Sequence, residues 1–297
     1  MASVNRELAD FLRRTRGSVD PWRDGLPPDG RVRRVPGLRR EEVAFLAGVS
    51  TDYYTRLEQG RRITPSSSVL DAIARALSLD ETGRAHLGHL VDSSTTRRAR
   101  AAPTAVQRVR PGLYQLLEGL HSNPAMILGR RTDVLASNHL ARALLTDFER
   151  LRPSERNYAR WVFLTAEARN LFLNWDVQAR AVVENLRLDF GNYPEDRAAQ
   201  DLVADLKAQS PEFSQWWNEH RVYQRTYGTK HFRHPIVGDL TVDYETLTLP
   251  GDPDQALFIY TTEPGSASRE ALDLLSSWTQ PSAPNPSTVK EPSHERQ

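Results

Sequence analysis

The chain contains no cysteine in its 297 residues. Disulfides, thiol nucleophiles and cysteine-containing zinc sites are therefore excluded. Long apolar runs are missing as well: no stretch of about 18 apolar residues occurs, so no membrane-spanning helix is expected. The opening segment, MASVNRELADFLRRTR, carries charge where a secretory signal needs an apolar core. Lysine is scarce, with Lys207, Lys230 and Lys290 the only lysines among 39 basic residues. Arginine suits bidentate contacts to phosphate and guanine. A bias spread along the whole chain is, however, better explained by the base composition of the coding sequence. These absences lead to the expectation of a soluble, cytoplasmic protein.

What is present suffices for two cores. Hydrophobic residues make up 39% and charged residues 26%, which excludes wholesale disorder, and the length suits two domains of ordinary size. Residues 1–100 hold 18 arginines against 13 acidic residues, whereas the remainder holds 21 basic and 25 acidic residues. A basic N-terminal third on a slightly acidic body points to a polyanion-binding module attached to something else.

The patterns divide the chain at a Ser/Thr/Arg-rich stretch, 92–110, which reads as a linker between domains at 1–91 and 111–279. The Pro/Ser-rich end, 280–297, has little to bury and reads as a disordered tail. The first domain reads as five helices. They lie near 5–16, over LRREEVAFLAG, over STDYYTRLEQG with Ser50 as cap, over TPSSSVLDAIARALSL with Thr64 as cap, and over 81–90. A loop at 17–37, rich in Gly, Pro and Arg, separates the first two. The second domain mixes helices with short extended segments at 124–129, 133–137 and 256–260, and with LTVDYE, where apolar residues alternate. One long helical pattern covers 165–190, and two further helices are expected near 195–208 and 211–221. Strands early and late with helices between imply an α+β domain, an antiparallel sheet covered by helices.

The strongest single signal is LRREEVAFLAGVSTDYYTRLEQG, residues 38–60. Helix, glycine turn and Ser-capped helix meet the needs of a helix-turn-helix. Small residues (Ala44, Ala47) stand at the crossing, and a polar N-terminal face on the second helix is free to enter a major groove. Ser50, Thr51, Asp52, Thr55 and Arg56 form that outward face, while Tyr54 and Leu57 form the inward stripe. Over roughly 5–90 the chain resembles the Xre family of phage-repressor-like regulators, and PGLRREEVAFLAGVSTDYYTRLEQGR is similar to a bacterial subgroup of it. The resemblance implies that Ser50, Thr51, Asp52 and Arg56 touch bases or phosphates. Arg39, Arg40, Arg61 and Arg62, which flank both helices, are then expected to clamp phosphates. Tyr53 departs from the smaller residues usual at its position; contact with the sugar-phosphate backbone and a plain surface location both remain open.

In the second domain, Asn157, Arg187 and His220 lie on or beside apolar stripes, where an unpartnered polar group is costly. Mutual satisfaction inside the core and contact with a ligand both explain them. Over roughly 105–275 the runs LLEGLHSNPAMILGRRTDVLASNHLARALL, RNYARWVF, LFLNWDVQARAVVENLRLDFG, SPEFSQWWNEHRV and HPIVGDLTVDYETL are similar to the MmyB-type ligand-binding domain. That family has a PAS-like fold, and its members accommodate fatty-acid-like ligands. Asn157, Trp175, Arg187, Trp216, His220, His234 and Pro235 fall where its pattern keeps marked residues. Ser137 stands where a bulkier residue often precedes the Asn, here Asn138.

The resemblance implies a transcriptional regulator that senses a small amphiphilic molecule. Trp161, Phe172, Trp175, Val183 and Trp216 are expected to line an apolar tunnel, and Arg187 with Asn157 or His220 to receive a carboxylate. The alternative is a constitutive repressor whose second domain only dimerises. The expected partners are double-stranded DNA carrying an inverted repeat, a second copy of the chain and the amphiphile, with no membrane, cofactor or metal. An enzyme using His220 or His234 is disfavoured because no activated nucleophile adjoins either. His86/His89 and His231/His234 lack an obvious third metal ligand.

Overall fold

The computed structural model describes residues 5–22, 26, 36–61, 63–95, 106–193, 195–223 and 225–279. Most of the loop expected at 17–37, and the tail at 280–297, lie outside the described residues.

The first domain is helical: α1 (Arg6–Ser18), α2 (Arg40–Ala47), α3 (Thr51–Glu58), α4 (Ser67–Ala76) and α5 (Glu81–Thr95). Each start has a local cause. Asn5 caps α1 by accepting from the Leu8 amide at 3.0 Å, and Ser50 caps α3 by accepting from Tyr53 at 3.1 Å. The α4 cap is Ser66 and not Thr64; its hydroxyl accepts from Val69. The α2–α3 turn depends on Gly48, whose φ of +65° favours glycine. The amide after it, Val49, returns to the Ala44 carbonyl. Gly60 has φ +66°, and a Cβ there would lie 2.2 Å from the Asn5 carbonyl oxygen, so glycine is required where the chain leaves α3 beside the start of α1. Leu8, Leu12, Leu38, Val43, Tyr54, Leu57, Ile73 and Leu87 form the core of this domain.

Helix α5 continues to Thr95, into the stretch expected to be linker. At the other end of that stretch, Gln107 donates to the Asp254 carbonyl and Arg110 pairs with Asp252 at 2.6 Å, so 107–110 is docked on the second domain.

The second domain is built on α6 (Pro111–Gly119), β1 (Ala125–Leu128), β2 (Val134–Ser137), α7 (His139–Leu144), α8 (Tyr158–Leu164), α9 (Ala166–Leu171), α10 (Trp175–Asn192), α11 (Arg197–Gln209), α12 (Pro211–Trp217), β3 (Tyr227–His234), β4 (Gly238–Thr248), β5 (Ala256–Thr261) and α13 (Ala267–Thr279). The strands form one antiparallel sheet in the order β2-β1-β5-β4-β3. One face packs on α6 through Leu113, Leu117, Ala125, Ile127 and Leu257. The other carries Met126, Phe232, Val242 and Tyr260 into a large aromatic core shared with α7–α13.

Two expectations require correction. The pattern at 165–190 is not one helix: Phe172 forms an isolated bridge to Phe232, and the Leu173 amide donates to His231, so the chain breaks between α9 and α10 to dock on β3. The helix expected to reach 221 ends at Trp217, and His220 beyond it has φ +54°. Strand β3 itself escapes a simple apolar reading because only Lys230, Phe232 and His234 turn inward.

Candidate DNA-reading surface and ligand-binding core

In the first domain, Ser50, Thr51, Asp52, Arg40, Arg56 and Arg61 are exposed, while Arg39, Tyr53 and Thr55 are half-buried. Arg62 lies outside the described residues. The exposed N-terminal turn of α3 projects from a core fixed by Tyr54 and Leu57, as a reading helix requires. Beneath it lies a network that sequence patterns do not reveal. Glu58 is buried and accepts from Arg16 Nε at 2.7 Å, from the second Arg16 nitrogen at 3.1 Å and from Arg40 Nε at 2.9 Å. Arg16 also donates to the Leu38 carbonyl at 2.6 Å. Burial pushes the Glu58 carboxyl up, yet Arg16 and Arg40 outweigh it and hold the group below its ordinary range. Arg40 thus has two faces, one toward Glu58 and one toward solvent. Arg39 pairs with Glu41 at 3.5 Å, and its amide donates to Glu42.

In the second domain, the expected tunnel residues do meet. Trp161, Phe172, Trp175, Val183 and Trp216 belong to one buried cluster. Trp161 packs edge-on to Phe172 with centroids 5.8 Å apart, and Trp175 lies 5.8 Å from Trp216. The indole N–H groups are satisfied, Trp161 by Glu167 and Trp175 by the Val162 carbonyl.

Of the three expected head-group residues, Arg187 and His220 meet, whereas Asn157 is engaged elsewhere. Asn157 is the cap of α8: its oxygen accepts from the Arg160 amide, and its NH2 donates to the Arg131 carbonyl and to Asp133. All its donors are engaged, so it fixes the β2–α8 geometry. Arg187 is almost fully buried at the edge of the aromatic core, where that core meets the first domain. It donates to Glu7 of α1 at 3.1 Å, meets His220 Nδ1 at 3.0 Å, donates to the Trp217 carbonyl and stacks over the Trp217 ring. Burial draws its pKa down to about 10. His220 is held near 3 by burial and then by the Arg187 charge, so it stays neutral. His234 bridges the Ala143 carbonyl and the Ile236 amide, closing the β3–β4 turn. Asn138 caps α7 and accepts from the Ala125 amide at 3.1 Å.

Arg187 therefore belongs to the domain junction. The His86 ring of α5 packs on Gly191 of α10 and edge-on to Phe11 of α1. Val222 packs against the first domain's core.

The residue missed by the sequence reading is Lys230. Its ammonium lies inside the aromatic core, 5.0 to 5.8 Å from the ring centres of Tyr158, Phe172, Tyr244 and Tyr260. Its neighbours are the phenol oxygens of Tyr260 at 3.2 Å and Tyr158 at 3.4 Å. No carboxylate pairs with it among the described residues. The signal was present, a basic residue alternating with Phe232 and His234 on a strand.

Residues 109–275, more than half the chain, match the ligand-binding domain of MmyB-like transcription regulators, and residues 7–87 match a helix-turn-helix domain. The chain belongs to the MmyB-like transcription regulators. No curated protein matches it closely enough to count as a relative. The MmyB-like architecture is that of a DNA-binding regulator carrying a ligand-binding domain. No helix among the described residues is long and apolar enough to cross a membrane.

Proposed function

We propose that this MmyB-like regulator is a one-component sensor acting in the cytoplasm. In this reading an amphiphilic, fatty-acid-like molecule enters the aromatic core of the second domain and changes how α3 engages an operator. The carrying observation is the Arg187 junction: the longest helix of the ligand-binding domain bonds directly to α1 of the DNA-binding domain. Helix α10 also contributes Trp175 and Val183 to the aromatic core. Helix α10 thus touches both the aromatic core and the first domain, as a shared two-state element would.

The exposed turn at Ser50, Thr51 and Asp52 with Arg56 would read base edges, and Arg39, Arg40, Arg61 and Arg62 would hold phosphates. A single helix-turn-helix gives too little specific contact alone. A homodimer on an inverted repeat therefore follows, with half-site centres separated by about 10 bp or a multiple. The test is footprinting of the full chain on sheared genomic DNA with and without dodecanoate, alongside sedimentation. A dimer-sized footprint that changes with dodecanoate supports the proposal. An unchanged footprint favours a constitutive repressor, and a monomer with one copy per footprint removes the dimer.

A further inference from the structure

We propose that Lys230 is the anchor for the anionic head group of the ligand, a role that rests on the sensor reading above. The inference starts from an imbalance. Lys230 is buried at 8% exposure on the inner face of the sheet, in its edge strand β3, and a buried ammonium normally demands a carboxylate. The groups that face it are Tyr158 from α8, Phe172 from the α9–α10 break, Tyr244 from β4 and Tyr260 from β5. None supplies a negative charge. Burial pushes the Tyr158 and Tyr260 phenols up, so both stay protonated at neutral pH. Ring faces and two phenol oxygens stabilise a cation only in part.

The choice of lysine is informative in a chain whose basic residues are overwhelmingly arginine. Arginine cannot discharge in a protein, whereas a buried lysine can. Burial pulls the Lys230 pKa down to about 7. Near neutral pH the core can therefore hold a neutral amine, and an entering carboxylate restores the charge by drawing a proton from solvent. The anion then forms a charge-assisted bond to Nζ in a water-poor site, with the Tyr158 and Tyr260 hydroxyls able to donate to it. The rings pack closely around Nζ, so a head group reaches it only as they part. Phe172, one of those rings, sits at the junction from which α10 departs toward Arg187.

The experiment is calorimetric titration of the full chain with sodium dodecanoate and with 1-dodecanol, which share a tail and differ in head group. The wild type should prefer the acid by about tenfold or more, the worth of a charge-assisted bond. Lys230→Met keeps length and apolar character and should bring the two within about twofold, with the fold checked by circular dichroism. Repeating the acid titration near pH 8.5 (roughly 1.5 units above the empty-site value) in buffers of different ionisation enthalpy should show about one proton taken up per ligand. That wild-type measurement decides the matter even if Lys230→Met fails to fold, since binding without proton uptake overturns the anchor. An acid preference that survives Lys230→Met, or equal binding of acid and alcohol by the wild type, also overturns it while leaving the sensor reading intact. Binding of neither probe overturns both.

Discussion

In the DNA-binding domain Arg16 is buried against Glu58, with the Leu38 carbonyl and Arg40 completing the set. In the ligand-binding domain Lys230 is buried among four aromatic rings with no acidic partner among the described residues. The first arrangement is closed: the buried Glu58 carboxylate is met by both Arg16 and Arg40, and the network ties α1, α2 and α3 together. The second is open on the negative side. A domain that must present a fixed reading helix benefits from the closed form, whereas one that must respond to an incoming molecule benefits from an unfilled demand. The difference teaches that buried charge in one chain can serve rigidity at one place and responsiveness at another.

The largest expected effect tests the closed centre. Glu58→Ala leaves the buried Arg16 without its carboxylate and should cost about 3–5 kcal/mol, enough to unfold the first domain, as seen by loss of helical signal and of DNA binding. The acid response has the same origin. Glu58 titrates below its unfolded value of 4.5, so its contribution is present above that pH and is lost as pH falls through the lowered folded value. A variant that melts like the wild type would show that the network is not what holds α3.

The open centre should behave in the opposite sense at the other end of the scale. Lys230 titrates near 7 in the fold against 10.5 when free, so between those values the unfolded chain binds more protons. Stability should then rise with pH from Lys230 by up to about 1.4 kcal/mol per pH unit across that window, provided no ligand is bound. Denaturant melts between pH 7 and 10 would show it, and Lys230→Met should flatten the slope. An identical slope in both proteins would mean that the amine is not desolvated.

Between the two centres lies the junction. Arg187→Met removes a buried charge that is shared by Glu7, His220 and the Trp217 carbonyl. It should cost about 1.5–3 kcal/mol, because hydrogen bonds to a charged group are lost and the Trp217 carbonyl stays buried. His220, held near 3 by burial and then by Arg187, should titrate closer to its ordinary range, which NMR of the ring protons would follow. If His220 does not move, burial and not the Arg187 charge keeps it neutral.

How far the sequence reached follows the same physics. The helix-turn-helix was legible because capping, glycine turns and the 3.6-residue stripe are local: Ser50, Gly48, Tyr54 and Leu57 each announce their role within a few positions. The aromatic cluster was legible for the same reason, since Trp161, Phe172, Trp175, Val183 and Trp216 fall on apolar stripes. The partners of Arg187 were not. Arg187 lies on such a stripe as well, and nothing local shows which domain its tip faces; only Glu7, 180 residues away, settles it. Asn157 read as an oddity because an N-cap and a buried ligand contact look alike until the start of the helix is known. Strand β3 and Lys230 were missed because YGTKHFRH is mostly polar, and its three inward residues gain meaning only once paired with β4. Glu58 was overlooked because its partners lie 18 and 42 residues away.

The smallest expected effect belongs to Arg40, where the closed centre touches the surface. Its side chain is 44% exposed while bonded to the buried Glu58, so one guanidinium edge remains available to a phosphate. Removing it leaves Arg16 to neutralise Glu58, and because the pair is half in solvent the stability cost should be at most about 1 kcal/mol. Its effect on DNA should be electrostatic and blind to sequence. Arg40→Ala should weaken operator and random DNA alike and reduce the slope of log affinity against log salt by about one unit. Binding measured from low to moderate salt on both DNAs separates the outcomes. A lowered slope with near-normal melting assigns Arg40 to the phosphate. An unchanged slope with a clear loss of stability assigns it wholly to Glu58, and the closed centre then has no outward face.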